Sequence, residues 1–322
     1  MKKITPPLTV PKNQRANYRR NFKLATQNSG HLLLFAADQK VEHLNDDFVG
    51  AGISPEDASP EHLFKIAVGI PGAVMAAHIG LLARYGQDYS KLPFILKLNG
   101  KSPLDNDADN LYSGTWISKD SIVRFKEQSG LNLVGLGYTV YLGGRREAKM
   151  LKQAAEMVQT AHEEGLLAII WMYPRNSKIK NEEDPHLIAG GAGVAACLGA
   201  DFVKVKYPYK KYSDDKKAAA FQETIKAAGR TGVICVGGSR LEAEELLAHL
   251  GRQLKYGVQG LAVGRNLHQR SLVEATALGN AIAAMLHRQA SYTQAISIYK
   301  DLKKKKIAGN KKNGRSSFFG LF

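Results

Sequence analysis

Between residues 165 and 208 the chain reads GLLAIIWMYP (165–174), RNSKIKNEE (175–183), DPHLIAGGAGVAACLG (184–199) and ADFVKVKYP (200–208). The first and last pieces are short apolar runs bounded by Gly and Pro, as buried strands are, and the third has the length and pattern of a helix. Strand, helix and strand in succession make a βαβ unit, so the two strands are expected to be parallel. Period-two alternation in ADFVKVKYP puts Val203 and Val205 on one face and Phe202, Lys204 and Lys206 on the other. Valines suit the layer that meets the helices, so the lysines are expected to point inward.

Working outward, the same unit recurs. Strand-like runs stand at HLLLFAADQ (31–39), GAVMAAHIG (72–80), LPFILKLNG (92–100), LNLVGLGYT (131–139), TGVICVGGS (231–239) and VQGLAVGRN (258–266), which with the two above makes eight. Amphipathic segments at Arg145–Glu164, Asp184–Leu198, Asp214–Ala228 and Leu241–Tyr256 lie between them. Eight alternating units imply a closed (β/α)₈ TIM barrel. The chain then divides into an N-terminal extension (1–30), the barrel (31–290) and a basic C-terminal tail (291–322). The polar stretch KSPLDNDADNLYSGTW (101–116) reads as a loop at the barrel mouth.

The 322 residues fit one such barrel with extensions, and 44% hydrophobic content argues for a packed globular protein. No apolar run reaches membrane-spanning length and no signal-peptide pattern follows the first charges, so a cytoplasmic protein without membrane contact is expected. The two cysteines, Cys197 and Cys235, have no partner at metal or redox spacing and read as buried packing residues. Net charge is +16. Much of the excess lies at the ends, in Arg15–Lys23 and in KDLKKKKIAGNKKNGR (300–315), without any nucleic-acid-binding signature. A solvated tail is expected, with a weak polyanion contact as its alternative.

Chemistry in a barrel comes from the strand ends. An inward lysine at the end of the sixth strand is costly as an ammonium unless it is paired or loses its proton. A neutral amine is what imine formation with a ketone needs; the plain alternative is a lysine paired with an acid or a bound phosphate. The first run ends in Asp38, in phase with Leu32, Leu34 and Ala36, and Gln39, Lys40, Glu42 and His43 follow. A carboxylate there could orient the lysine or shuttle protons. The fifth run ends in Trp171-Met172-Tyr173-Pro174-Arg175, with Trp171 and Tyr173 inward together. Spacing leaves Tyr173 open between a proton-transfer group and an aromatic filling the mouth. The seventh and eighth units carry Gly237-Gly238-Ser239-Arg240 and Gly264-Arg265-Asn266, and glycines in these two loops let backbone N–H groups approach a phosphate. His78, His162, His186 and His268 have no metal-site spacing, so neither metal nor cofactor is expected. Glu147 opens a helix and reads as a dipole complement as readily as a catalytic acid.

The strand ends FAADQKVEH (35–43), YTVYLGG (138–144), WMYPR (171–175), DPHLIAGGAGVAACLGADFVKVK (184–206), VGGSR (236–240) and VGRN (263–266) occur in the order found in a known family. Over about residues 31–285 the chain resembles the archaeal-type class I fructose-bisphosphate aldolases, in the broader group that includes deoxyribose-phosphate aldolase. The resemblance implies Lys204, rather than Lys206, as the Schiff-base lysine, Tyr173 and Asp38 as catalytic partners and Trp171 beside them. It implies phosphate binding at Gly237, Gly238, Ser239, Gly264 and Arg265, with Lys206 also facing substrate. A sugar phosphate substrate and a homo-oligomer are likewise implied. Two departures stand out: Gln39 and Lys40 occupy positions where many relatives have a glycine, and Asn176 replaces the usual glycine after the Trp-x-Tyr-Pro-Arg motif. The first is expected to put a bulky cation near the mouth. Related enzymes that make a heptulosonate precursor or process a phosphorylated signalling sugar, and a polyanion-binding protein built on the same scaffold, are the competing readings.

Overall fold

The eight runs form eight parallel strands that close in chain order, with β8 (Gly260–Val263) paired to β1 (Leu32–Ala36). The computed structural model describes residues 4–104, 107–208 and 219–316. Between those two strands come β2 (Ala73–His78), β3 (Pro93–Lys97), β4 (Asn132–Leu142), β5 (Leu167–Pro174), β6 (Phe202–Val205) and β7 (Gly232–Val236). The outer helices are α3 (Pro60–Val68), α4 (Ile79–Tyr85), α5 (Lys119–Ser129), α6 (Glu147–Glu163), α7 (Pro185–Cys197), α8 (Gln222–Ala228), α9 (Ala243–Lys255) and α11 (Leu272–Arg288). Two short helices, α2 (Gln39–Glu42) and α10 (Arg265–His268), sit in the loops after β1 and β8. The helix expected over Asp214–Ala228 is described from residue 219 onward, and its start lies outside the described residues.

Strand alternation sorts side chains into two layers, both dry. Leu32, Leu34, Val74, Ala76, Ile95, Val134, Ile169, Phe202, Ile234 and Ala262 fill the barrel interior. Leu33, Phe35, Met75, Phe94, Leu96, Ile170, Val203, Val205, Cys235 and Val263 pack outward under the helices. Both faces are buried, so the strands read as nearly continuous apolar runs. Each fully buried aliphatic side chain contributes roughly 1.5–3 kcal/mol, so the two layers together carry most of the fold's stability. Cys235 lies in the outer layer as expected. Cys197 is exposed, because α7 buries its Ile188, Ala189, Ala192 and Ala195 face and leaves the cysteine on the other side.

The N-terminal residues close one end of the barrel. Helix α1 (Arg15–Thr26) lies across the N-terminal mouth, where Phe22 stacks on Phe202 with centroids 5.8 Å apart. The Tyr18 hydroxyl donates to Asp201 at 2.5 Å, and Asp201 also accepts from the Ala168 amide at 2.8 Å. His162 joins Asp201 at 3.1 Å and Thr9 at 2.6 Å. At the far end of the chain α12 (Tyr292–Ser316) buries Ala295 and Tyr299, whose hydroxyl donates to Glu274 of α11 at 2.9 Å; Lys303 reaches the same carboxylate at 3.2 Å. The last six residues of the basic tail, 317–322, lie outside the described residues. Among the described residues no helix is long and apolar enough to cross a membrane.

Candidate active site

With α1 over one end, the strands open at the other into a cavity of about 550 Å³. Its wall includes Lys204, Lys206, Tyr173, Glu42, Gln39, the glycine loops after β7 and β8, and Lys101, Ser102, Pro103 and Leu111 of the loop after β3. That loop therefore forms part of the mouth, as its polarity and position suggest.

Lys204 comes from the inward phase of β6, paired in register with Trp171 on β5. It is only 6% exposed, with its ammonium 5.1 Å from the Trp171 ring centroid. Burial pushes its pKa below the usual lysine value; Asp38 and Glu42 pull it back up, while Lys97 and Arg265 push it further down. More of the amine is thus neutral near pH 7 than an exposed lysine would offer. Lys206, one pleat further on, lies at the rim, where its ammonium pairs with Glu182 at 2.7 Å. Glu182 also takes a two-pronged contact from Arg175, at 2.6 and 2.9 Å.

Asp38 ends the inward series of β1 and is 2% exposed. Burial works against its charge, but Lys204, Lys97 and His78 outweigh burial and hold its carboxyl below the ordinary value. Among the described residues neither carboxylate oxygen has a hydrogen-bond partner. An ionised, buried acid with unused acceptors is costly to the fold, and such groups belong to sites that meet a ligand. Glu42 beside it has its pKa raised, by burial and by Asp38, against Lys97 and Lys204. The two acids are thus shifted in opposite directions, Asp38 toward giving up its proton and Glu42 toward keeping one.

Tyr173 stacks on Tyr141, centroids 6.3 Å apart. Burial, Glu42, Tyr141 and Asp38 raise its pKa well above normal, so the phenol keeps its proton. Trp171 is buried in the barrel interior, its indole nitrogen without a hydrogen-bond partner among the described residues. Gly237, Gly238, Ser239, Gly264 and Arg265 line one side of the cavity together. Asn266 ties the two loops into one wall: its side chain donates to the carbonyls of Gly237 (2.8 Å) and Ser239 (3.0 Å) and accepts from the Leu241 amide (2.8 Å). Gly238 has φ +69°, a conformation that favours glycine.

The residues that depart from the resemblance sit differently from what sequence suggests. Lys40 does not crowd the mouth. Its ammonium lies 3.8 Å over the Phe48 ring, outside the cavity wall, because the first turn of α2 directs it away while Gln39 faces in. Asn176 bridges the loops after β4 and β5, donating to the Gly143 carbonyl at 2.8 Å and accepting from the Lys178 and Ile179 amides. Glu147 accepts from the Gly143 amide at 2.5 Å, a local tie at the opening of its helix.

Lys97 is the residue that sequence reading passed over. At the end of β3 it is 1% exposed, donates to the carbonyl (2.5 Å) and side-chain oxygen (3.1 Å) of Asn99, and lies 3.9 Å from both Asp38 and Glu42. Its ammonium sits 5.3 Å from the Trp171 ring. The available signal was the one that marked Lys204, a lysine in the inward phase of an apolar run, in step with Ile95 and Asn99. At about 3.9 Å an ion pair is worth about 4 kcal/mol at an effective dielectric near 20, against several kcal/mol of desolvation per ion. Such a cluster contributes little to stability and a great deal to the electrostatics of the cavity.

Residues 32–270 match the model of the DeoC/LacD family aldolases. The chain belongs to that family. Its relatives include the fructose-bisphosphate aldolase/6-deoxy-5-ketofructose 1-phosphate synthase of Methanocaldococcus jannaschii, 48% identical over 297 residues, 92% of this chain and 94% of that protein. A solved fructose-bisphosphate aldolase from Slackia heliotrinireducens superposes with TM-score 0.89 at 45% identity, covering 93% of this chain and 94% of that one. An archaeal fructose-1,6-bisphosphate aldolase whose catalytic lysine is covalently bound to the carbinolamine intermediate superposes with TM-score 0.70 at 30% identity, covering 84% and 99%. These matches make the chain an aldolase of the Schiff-base class and carry the barrel architecture with them.

Proposed function

We propose that this aldolase cleaves fructose 1,6-bisphosphate reversibly to dihydroxyacetone phosphate and glyceraldehyde 3-phosphate, with Lys204 as the imine-forming residue. The observation that carries the reading is the buried, pKa-lowered Lys204, 5.1 Å from the Trp171 ring and within the field of the Asp38 carboxylate, on a cavity that Tyr173 also lines. Lys204 attacks the C2 ketone to give a carbinolamine, which loses water to an iminium. The C3–C4 bond then breaks: its electrons flow into the iminium to form an enamine, and the C4 hydroxyl proton leaves to a base as the aldehyde departs. Asp38, ionised, suits that base; Tyr173, held protonated, suits the donor that returns a proton to C3 before hydrolysis.

Charge around the cavity favours a substrate with two phosphates. Lys101, Arg175, Lys204, Lys206 and Arg265 line it against Glu42 and Glu183. Arg265 stands with the glycine loops after β7 and β8, which suit one phosphate, and Arg175 and Lys206, which share Glu182 beyond β5 and β6, are the candidates for the second. The identity to the M. jannaschii protein supports a second reading, in which the same enamine is condensed with a different acceptor to form 6-deoxy-5-ketofructose 1-phosphate.

Triose phosphate release from fructose 1,6-bisphosphate, followed in a coupled assay, separates the two. The proposal expects cleavage by the wild type and loss of at least about 10³-fold in Lys204→Met. Failure to cleave by a folded wild type that forms 6-deoxy-5-ketofructose 1-phosphate would establish the second reading instead.

A further inference from the structure

Gln39 stands at a position of the mouth for which the catalytic reading has no role. It is the first residue of α2, lines the cavity beside Gly264 and Arg265, and is held from behind. Its side-chain oxygen lies 3.2 Å from His268 Nε2 and Asp57 Oδ2 lies 2.6 Å from His268 Nδ1, so each ring nitrogen faces an acceptor oxygen and the ring donates from both. Both His268 and Asp57 are fully buried, and Phe48 stacks on the imidazole at 4.7 Å. The carboxamide is also wedged against the glycine loop. A Cβ added to Gly264 would fall 1.9 Å from Gln39 Oε1, so the absence of a side chain at 264 is what leaves room for it.

A carboxamide has one acceptor end and one donor end. Here the oxygen accepts from His268 Nε2 and packs against the backbone of Gly264. Among the described residues the NH₂ group has no protein acceptor, and Gln39 lines the cavity next to the loops assigned above to phosphate. A neutral donor fixed at that place adds a directional hydrogen bond where Arg265 supplies charge. Lys40 cannot take this part, since its ammonium is turned onto Phe48.

We infer that Gln39 is a specificity-determining residue that donates a hydrogen bond to the substrate phosphate held by the glycine loops, with the buried His268–Asp57 pair fixing the orientation of its carboxamide. The inference deepens the aldolase reading and rests on its assignment of those loops.

Inorganic phosphate is the probe, because its binding needs neither Lys204 nor a sugar. Calorimetric titration of the full chain is expected to show phosphate binding weakened about tenfold in Gln39→Met, the size of one lost hydrogen bond to a charged group, and more in Gln39→Glu, which places an anion there. His268→Phe keeps an aromatic against Phe48 but removes the tether. It is expected to weaken phosphate as Gln39→Met does, with no further loss in the double variant. Wild-type affinity in both Gln39 variants, absence of phosphate binding in the wild type, or additive losses in the double variant would overturn the assignment. If phosphate behaves as expected but dihydroxyacetone phosphate gives no borohydride-trapped adduct on wild-type Lys204, the aldolase reading falls and the Gln39 site stands.

Discussion

At the scale of single residues the site is a problem in shared charge. Two buried lysines, Lys97 and Lys204, face two acids, Asp38 and Glu42; burial lowers the proton affinity of both lysines, the acids restore it in both, and Lys97 depresses that of Lys204 further. Replacing Lys97 by Met removes a like charge from Lys204 and leaves Asp38 and Glu42 less neutralised. Both changes raise the Lys204 pKa, so the acidic limb of the kcat/KM profile is expected to move to higher pH, by about half a unit or more. An unmoved limb would show that Lys97 does not tune the nucleophile. Lys204, Trp171, Tyr173 and Asp38 were legible because inward phase and strand-end position coincide with polar character. Lys97 has the same signature, but only its distances to two acids separate it from a lysine that merely ends a strand. The part played by Asn266 was hidden for another reason: the two carbonyls it joins, in the loop after β7, lie 27 and 29 residues away in sequence.

Among the elements, the eight strands and most helices were readable from periodicity, since a parallel strand covered on both faces has to be apolar at nearly every position. The exceptions carry the lesson. Strand β4 extends three residues past its apolar run, to Leu142, because Val140 pairs with Met172 and Tyr141 with Tyr173 on the long β5. Helix α1 has few apolar residues, and nothing local announces that it covers the barrel floor. Its docking rests on a tertiary pairing, Tyr18 with Asp201, whose carboxylate also receives His162 and the Ala168 amide. Tyr18→Phe leaves that buried carboxylate short of one donor and is expected to lower unfolding stability by roughly 1.5–3 kcal/mol in urea titration. Lying at the opposite end from Lys204, it is expected to leave kcat within about twofold. A large loss of kcat without loss of stability would contradict this division between floor and mouth.

For the molecule as a whole, acid is the condition that tests the burial pattern. His78, His249 and His287, on three different elements, are each pushed down to about 4, chiefly by burial, with Lys97, Arg252 and His31 respectively adding to it. An unfolded chain protonates these histidines near 6.5. Between those values the unfolded state binds more protons, so stability is full above about pH 6.5 and declines as pH falls toward 4, by up to about 1.4 kcal/mol per pH unit for each group. Urea midpoints measured from pH 7.5 to 4.5 are expected to fall steadily below 6.5, and His249→Gln is expected to flatten part of that slope. A midpoint constant across the range would mean that these histidines are not held neutral in the fold.

The claim on which all three scales converge is that Lys204 forms the covalent intermediate. Borohydride reduction in the presence of fructose 1,6-bisphosphate, followed by intact-mass and peptide mapping of the wild type and Lys204→Met, tests it most directly. The account predicts one reduced sugar-phosphate adduct on the peptide carrying Lys204 and none in the variant. An adduct on Lys206 or Lys97, or none on a folded wild type, would contradict it.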